Sequence, residues 1–212
     1  MNIATMVLTC PRPGESTLQR TLDSLQAAGF DPPLVWRDSG ESRKQFVAWI
    51  AGVQSLMTKR PDADAYFLVE DDVVFCRNTR AVLGSWPDDP EKIAIVSPYT
   101  PSTYVIDAKG WHVESRGLFL CTGQSWLMPA LTLRRVAGDL RHLLTSPSTL
   151  RGGDYLVGEW AKQNSMLTYF HVPSLGQHIG LGNSAVGGYV LDDSPRRKAS
   201  DFLGEDFDAS NL

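Results

Sequence analysis

Apolar positions in the first 76 residues alternate between compact runs and helical stripes. Ile3 to Thr9 is a β-rich apolar run, and Cys10, Pro11, Arg12, Pro13 and Gly14 break it into a loop. Ser16 with Gln19 has capping-box spacing, and Leu18, Leu22 and Leu25 then repeat at helical spacing before Gly29. Pro33 to Trp36 predicts a second strand, ending at Arg37, Asp38, Ser39 and Gly40. A second capping pair, Ser42 with Gln45, opens a helix whose buried stripe is Phe46, Trp49, Ile50, Val53 and Met57. The third strand is Tyr66 to Cys76. Strand and helix in alternation predict an α/β fold, a single Rossmann-like domain with a mostly parallel central sheet and helices on both faces. The strand ends Thr9–Arg12, Asp38–Gly40 and Glu70–Asp72 then converge on one edge of that sheet.

The second half is less regular. Ile93 to Val96 predicts a strand stopped by Pro98, and Tyr99, Tyr104, Trp111 and His112 belong to a loop or hairpin over the sheet. Leu118 to Trp126, broken at Gly123, predicts another strand. Pro129 opens a helix whose stripe is Leu133, Val136, Leu140 and Leu144, with Arg134, Arg135, Arg141 and His142 on its other face. Asp154 to Gln163 predicts a short helix and Met166 to His171 a last strand. The division expected is a domain over 1–184 and a polar tail over 185–212. From Asp192 the chain is charged and poor in core formers, as in a disordered tail or one that folds over a site.

Composition narrows the classes. With 212 residues, 42% hydrophobic and 21% charged, the chain suits one soluble domain with a real core. A net charge of −4 gives no reason to expect a polyanionic partner. No apolar run approaches the ~20 residues of a membrane helix. The N-terminus lacks the basic and apolar regions of a signal peptide. Cys10, Cys76 and Cys121 are scattered, as expected of reduced thiols in a cytoplasmic protein rather than a zinc site or disulfide framework.

The acids of the third strand carry the chemistry. Glu70, Asp71 and Asp72 interrupt Tyr66-Phe67-Leu68-Val69 and Val73-Val74-Phe75. Burying an uncompensated carboxylate costs several kcal/mol or raises its pKa. A divalent cation would remove that cost, and the carboxyl end of a central strand is where open α/β sheets place ligands. The plainer alternative is a set of solvated acids that cap the next turn. No G-x-G-x-x-G follows the first strand and no G-x-x-x-x-G-K-[ST] occurs, so dinucleotide and P-loop folds of the common kind are disfavoured.

In order along the chain, TCPRP after the first strand, Asp38 after the second, VEDDV, RGGDYLVGEW and HVPSLGQHIG resemble a GT-A-type glycosyltransferase. The resemblance covers residues 3 to 184, and the triplet departs from it by starting with Glu70 instead of Asp. It implies an inverting, metal-dependent transfer of a hexose from a nucleotide sugar, a UDP-sugar, to an acceptor hydroxyl. Mn²⁺ or Mg²⁺ would be held by Asp72 and by His178, which lies between Gln177 and Ile179 near Gly176 and Gly180. His171 is the competing histidine. Thr9, Pro11, Arg12, Asp38, Arg43, Glu70 and Asp71 would bind the nucleotide sugar. Gly123, Gln124, Trp126 and Gly153 would line the sugar or acceptor pocket, although Trp126 could equally be core. Asp154 would be the general base, with Glu159 as fallback; a helix N-cap is the equal alternative. The acceptor stays open among a glycan, a small molecule and modified DNA, the last because of the Arg134, Arg135 and Arg141 face. A nucleotidyltransferase and a non-catalytic sugar-nucleotide-binding domain are the rival readings.

Overall fold

The computed structural model describes residues 1–10, 16–38, 45–86, 89–102, 104, 106–114, 125–141, 153–180, 182–183, 190–191 and 198–212. Its centre is a seven-stranded sheet in the order β2-β1-β3-β7-β5-β8-β6. The strands are β1 (Ile3–Thr9), β2 (Leu34–Arg37), β3 (Ala65–Glu70), β5 (Ile93–Ser97), β6 (Gly110–Val113), β7 (Ser125–Pro129) and β8 (Leu167–Val172). β1 runs parallel to β2 and β3, and β5 to β8. β7 lies between β3 and β5 and is antiparallel to both. β6 runs antiparallel to β8 at the sheet's edge. The sheet is thus mixed but mostly parallel, and β3, β5 and β7 are buried along almost their whole length, as their continuous apolar sequences require.

Alternate side chains feed two cores. Met6, Leu68, Trp126 and Met128 pack under α2 (Gln45–Lys59), α4 (Ala130–Asp139) and α5 (Gly153–Gln163). Val7, Phe67, Val69 and Leu127 pack on the other face with Leu25 of α1 (Leu18–Ala27) and Leu83 of α3 (Thr79–Leu83). α2 sits close to the sheet. A Cβ on Gly52 would lie 2.7 Å from the Met6 sulfur and 2.9 Å from Trp36 Cγ. No described helix is long and apolar enough to cross a membrane.

Several elements differ from expectation. The Ser16–Gln19 capping box does not form. Ser16 stands two residues ahead of Leu18, whose N–H donates to the Ser16 hydroxyl at 3.3 Å, and Gln19 donates along the helix to Asp23 at 2.8 Å. The Ser42–Gln45 pair falls largely outside the described residues. The run Tyr66–Cys76 is two strands, because β3 ends at Glu70 and β4 (Val73–Phe75) leaves the sheet to pair with β9 (Gly176–His178). β7 starts at Ser125 instead of Leu118, and α4 ends at Asp139, short of Leu144.

The arginine face is largely engaged. Arg134 donates to the Pro61 carbonyl at 2.9 Å, and Arg135 donates to Asn164 at 3.3 Å with its guanidinium 5.5 Å above the Trp160 ring. Residues 198–212 of the polar tail pack on the body. Phe202, Phe207 and Ala209 join Cys76 and Leu175 in a small apolar cluster. Arg77 and Asp208 form a bridge, with Arg77 N–H donating to Phe207 O and Ala209 N–H to Arg77 O, both at 2.9 Å. Three apolar residues spaced among charges are enough to seat such a tail, and composition averages them away.

Candidate active site

The tips of β1, β2 and β3 stand side by side at the carboxyl edge of the sheet. Backbone bonds continue past the strands: Asp38 N–H donates to Thr9 O at 2.8 Å, and Asp71 N–H to Leu8 O at 3.1 Å. Asp38 and Glu70 are partly exposed there, whereas Thr9, Asp71 and Asp72 are buried.

Asp71 and Asp72 are neighbours with different surroundings. The Thr9 hydroxyl donates to Asp71 Oδ2, which ties the end of β1 to the turn after β3. Asp72 Oδ2 instead meets His178 Nε2 at 3.1 Å. Only 3% of Asp72 and 7% of His178 is exposed, so this pair interacts with little screening by water. Its geometry comes from the β4–β9 ribbon, which sets Val73 opposite His178 while Ile179 N–H donates to Asp72 O at 2.8 Å. The ribbon is anchored in turn by Ser24 of α1, whose hydroxyl accepts from Phe75 N–H at 2.7 Å.

Gly180 closes this corner. A Cβ there would press on the Asp72 carboxylate, 3.0 Å from its Cγ, and would also lie 3.0 Å from His178 Cε1. Carboxylate, imidazole and backbone thus leave a small cradle that any side chain at 180 would fill. One hard oxygen and one imidazole nitrogen suit Mn²⁺, and Mg²⁺ less well. Among the described residues no group of three or more His, Cys, Asp and Glu is gathered for a metal. Asp72 and His178 alone would be its protein ligands here, and hard cations are often held by only one or two side chains.

The other histidines are placed differently. His171 is buried, its ring edge-on to Trp111 at 4.9 Å, and its Nδ1–H donates to the Pro173 carbonyl at 2.8 Å. Burial pushes its pKa down. It is a core residue and not a second candidate ligand. His112 donates from Nε2 to Ala108 O at 2.9 Å, and His142 lies outside the described residues.

Asp154 opens α5, where its Oδ1 accepts from Tyr155 N–H at 2.9 Å. Burial pushes its carboxyl up from 3.8 to about 6, more than that hydrogen bond lowers it. Gly153 packs on α2: a Cβ there would be 3.3 Å from Phe46 Cδ2. Phe46 stacks on Trp49, and Trp49 meets Trp126 edge-on at 5.7 Å. Trp126 pairs with Leu68, two residues before Glu70. The start of α5 is therefore linked to the acid strand through one aromatic row. Trp126 itself is 2% exposed and packs in the core beneath the site. Glu159 is half-buried further along α5. Pro11, Arg12, Arg43, Gly123 and Gln124 lie outside the described residues. The roles of Gly180, Ser24 and the Thr9–Asp71 bond had no clear signal in the sequence; a glycine two residues beyond a candidate ligand was the only hint.

No family model matches the sequence, and no curated protein matches it. Solved structures do. A glycosyltransferase involved in the glycosylation of the major capsid of PBCV-1 aligns with a TM-score of 0.55 at 12% identity, covering 86% of this chain and 95% of that one. The catalytic domain of Drosophila beta1,4galactosyltransferase 7, in complex with xylobiose, aligns with a TM-score of 0.52 at 11% identity, covering 96% of this chain and 83% of that one. At such identities the likeness is one of architecture: the chain has a mixed α/β, GT-A-like fold.

Proposed function

We propose that the protein is a metal-dependent glycosyltransferase that moves a hexose from a nucleotide sugar, a UDP-sugar, to an acceptor hydroxyl with inversion. The observation that carries this reading is the buried Asp72–His178 pair at the carboxyl edge of a GT-A-like sheet. Asp72 and His178 would hold Mn²⁺ or Mg²⁺, which would supply positive charge to offset the negative charge that develops on the departing diphosphate. Glu70 and Asp38, partly exposed on the strand tips that flank β1, would accept hydrogen bonds from the ribose and base, with Pro11, Arg12 and Arg43 completing the donor pocket. Asp71, which accepts from the Thr9 hydroxyl, would hold the turn beneath the donor, with Thr9 beside it. Gly123, Gln124 and Gly153 would border the sugar and acceptor.

Asp154 would take the proton from the acceptor hydroxyl. As that O–H bond breaks, the oxygen attacks the anomeric carbon. The bond from this carbon to the diphosphate oxygen breaks on the opposite face, and its electron pair leaves with the nucleoside diphosphate. A carboxyl at about 6 is mostly ionised at neutral pH yet basic enough to share a proton in the transition state. The acceptor is a glycan, a small molecule or modified DNA. A panel of nucleotide sugars, assayed for hydrolysis with Mn²⁺ and with chelator, tests the reading. Metal-dependent release of one nucleoside diphosphate is expected, and no turnover of any donor would overturn it.

A further inference from the structure

His178 ends a strand of three residues, paired on one side only with another strand of three. So short a ribbon is marginal by its own hydrogen bonds, although Val73 and Phe75 seat its β4 strand in the core. Its other side is covered by the C-terminal segment. Pro101 and Ala199 form an antiparallel bridge, Ser102 N–H donates to Lys198 O at 2.8 Å, and Ser200 N–H donates to Thr100 O at 2.7 Å. On the opposite side of the segment, Ser174 N–H donates to Ser200 O at 3.0 Å. Residues 198–200 are thus wedged between the loop after β5 and the approach to β9.

Gln177 completes the join. Its Oε1 accepts from Ala199 N–H at 3.1 Å, and its Nε2 donates to the His178 carbonyl at 2.7 Å. The amide can sit only this way round. Turned over, it would set oxygen against the carbonyl and NH₂ against the amide N–H. The side chain therefore links the C-terminal segment to the backbone of the residue whose imidazole faces Asp72.

We propose that Gln177, held by Ala199, is a positioning residue that fixes His178 opposite Asp72 and thereby sets the affinity of this corner for a divalent cation. The claim about affinity rests on the metal-dependent reading above; the claim about the ribbon does not. Groups that orient metal ligands change affinity by roughly 10–100-fold when removed. Gln177 touches neither donor nor acceptor in this account, so its loss acts through His178.

The test uses the full chain and two measurements. The first is amide hydrogen exchange of residues 173–180 without metal, for wild type, Gln177→Ala and Ala199→Pro. The proline removes the N–H that Gln177 accepts and also fixes φ at 199, so Gln177→Ala, which leaves the backbone alone, is its control. Exchange should quicken in both variants with the rest of the sheet unchanged. Unchanged exchange in both would overturn the brace. The second is Mn²⁺ affinity in the presence of UDP, read by calorimetry. Gln177→Ala should weaken it at least about tenfold. Faster exchange with wild-type Mn²⁺ affinity would overturn the positioning role and leave a purely structural tie. A wild-type protein with no Mn²⁺–UDP affinity would instead overturn the metal-dependent reading and the affinity claim with it, while the exchange data still decide whether the brace exists.

Discussion

The tips of β1, β2 and β3 and the β4–β9 ribbon bring acids to the same edge of the sheet by different means. The tips are extensions of a parallel sheet. β1 and β3 are fixed by ladder bonds and by a core on both faces, and β2, at the edge, by its ladder with β1 and by Leu34 and Trp36 against one core. The ribbon is two strands of three residues, kept in place by Ser24 on one side and by Gln177 and residues 198–200 on the other. The first region is over-determined. In the second, Val73 and Phe75 seat β4 in the core, whereas β9 relies on its pairing with β4 and on a few polar contacts between parts of the chain far apart in sequence. Changes in the first should therefore register in stability and changes in the second in metal affinity.

The largest effect is expected at Asp72. Asp72→Asn keeps the shape and removes the charge, so metal-dependent turnover should fall by at least ~10³-fold, the rate equivalent of several kcal/mol of Lewis-acid stabilisation. Turnover near wild type would take the ribbon out of the chemistry.

Asp154→Asn should lower transfer by ~10²–10⁴-fold and leave donor affinity unchanged, because an amide cannot take the acceptor's proton. In wild type, transfer should rise with pH through an inflection near 6. Stability runs the other way. The folded carboxyl titrates at about 6 against an ordinary 3.8, so its contribution is full below 3.8 and is lost as pH rises through 6. The asparagine variant should thus gain melting temperature over wild type above pH 6. A flat profile in both quantities would reduce Asp154 to a helix cap.

Gly180→Ala should weaken Mn²⁺–UDP binding by tenfold or more with little change in melting temperature, since the new methyl enters the cradle and not the core. Thr9→Val sharpens the contrast from the other side. It withdraws a hydrogen bond from the buried Asp71, which should cost about 1–3 kcal/mol by denaturant titration, with Mn²⁺ affinity within a few-fold of wild type. Were Thr9→Val to abolish metal binding at unchanged stability, the division between the two regions would fail.

The parallel unit was legible because each of its strands is an unbroken apolar run and the stripes of α1 and α2 keep helical period. The triplet Glu70-Asp71-Asp72 stood out because acids rarely interrupt such a run. What it does there was not legible. It is itself the break between β3 and β4, and no glycine or proline marks the place. Strand order was hidden for a general reason: periodicity describes a segment's own faces but not its neighbours, so the antiparallel seat of β7 between β3 and β5 leaves no local trace. The same holds for Asp72 and His178, which are 106 residues apart. The packing of Phe202, Phe207 and Ala209 was masked by the charges around them.

The position of β7 bears on how the chain reaches this state. β1, β2 and β3 can assemble by successive local crossovers as soon as residue 70 is available. β5 cannot join them, because its place beside β3 is separated by a strand that begins only at Ser125. Until the intervening loop closes, β3 presents an apolar edge with unpaired backbone groups, and closing so long a loop is slow. Those edges invite pairing with other chains. Yield and solubility during production should then depend on the speed with which β7 docks, and substitutions at buried Leu127 would act on folding efficiency before they act on the finished site.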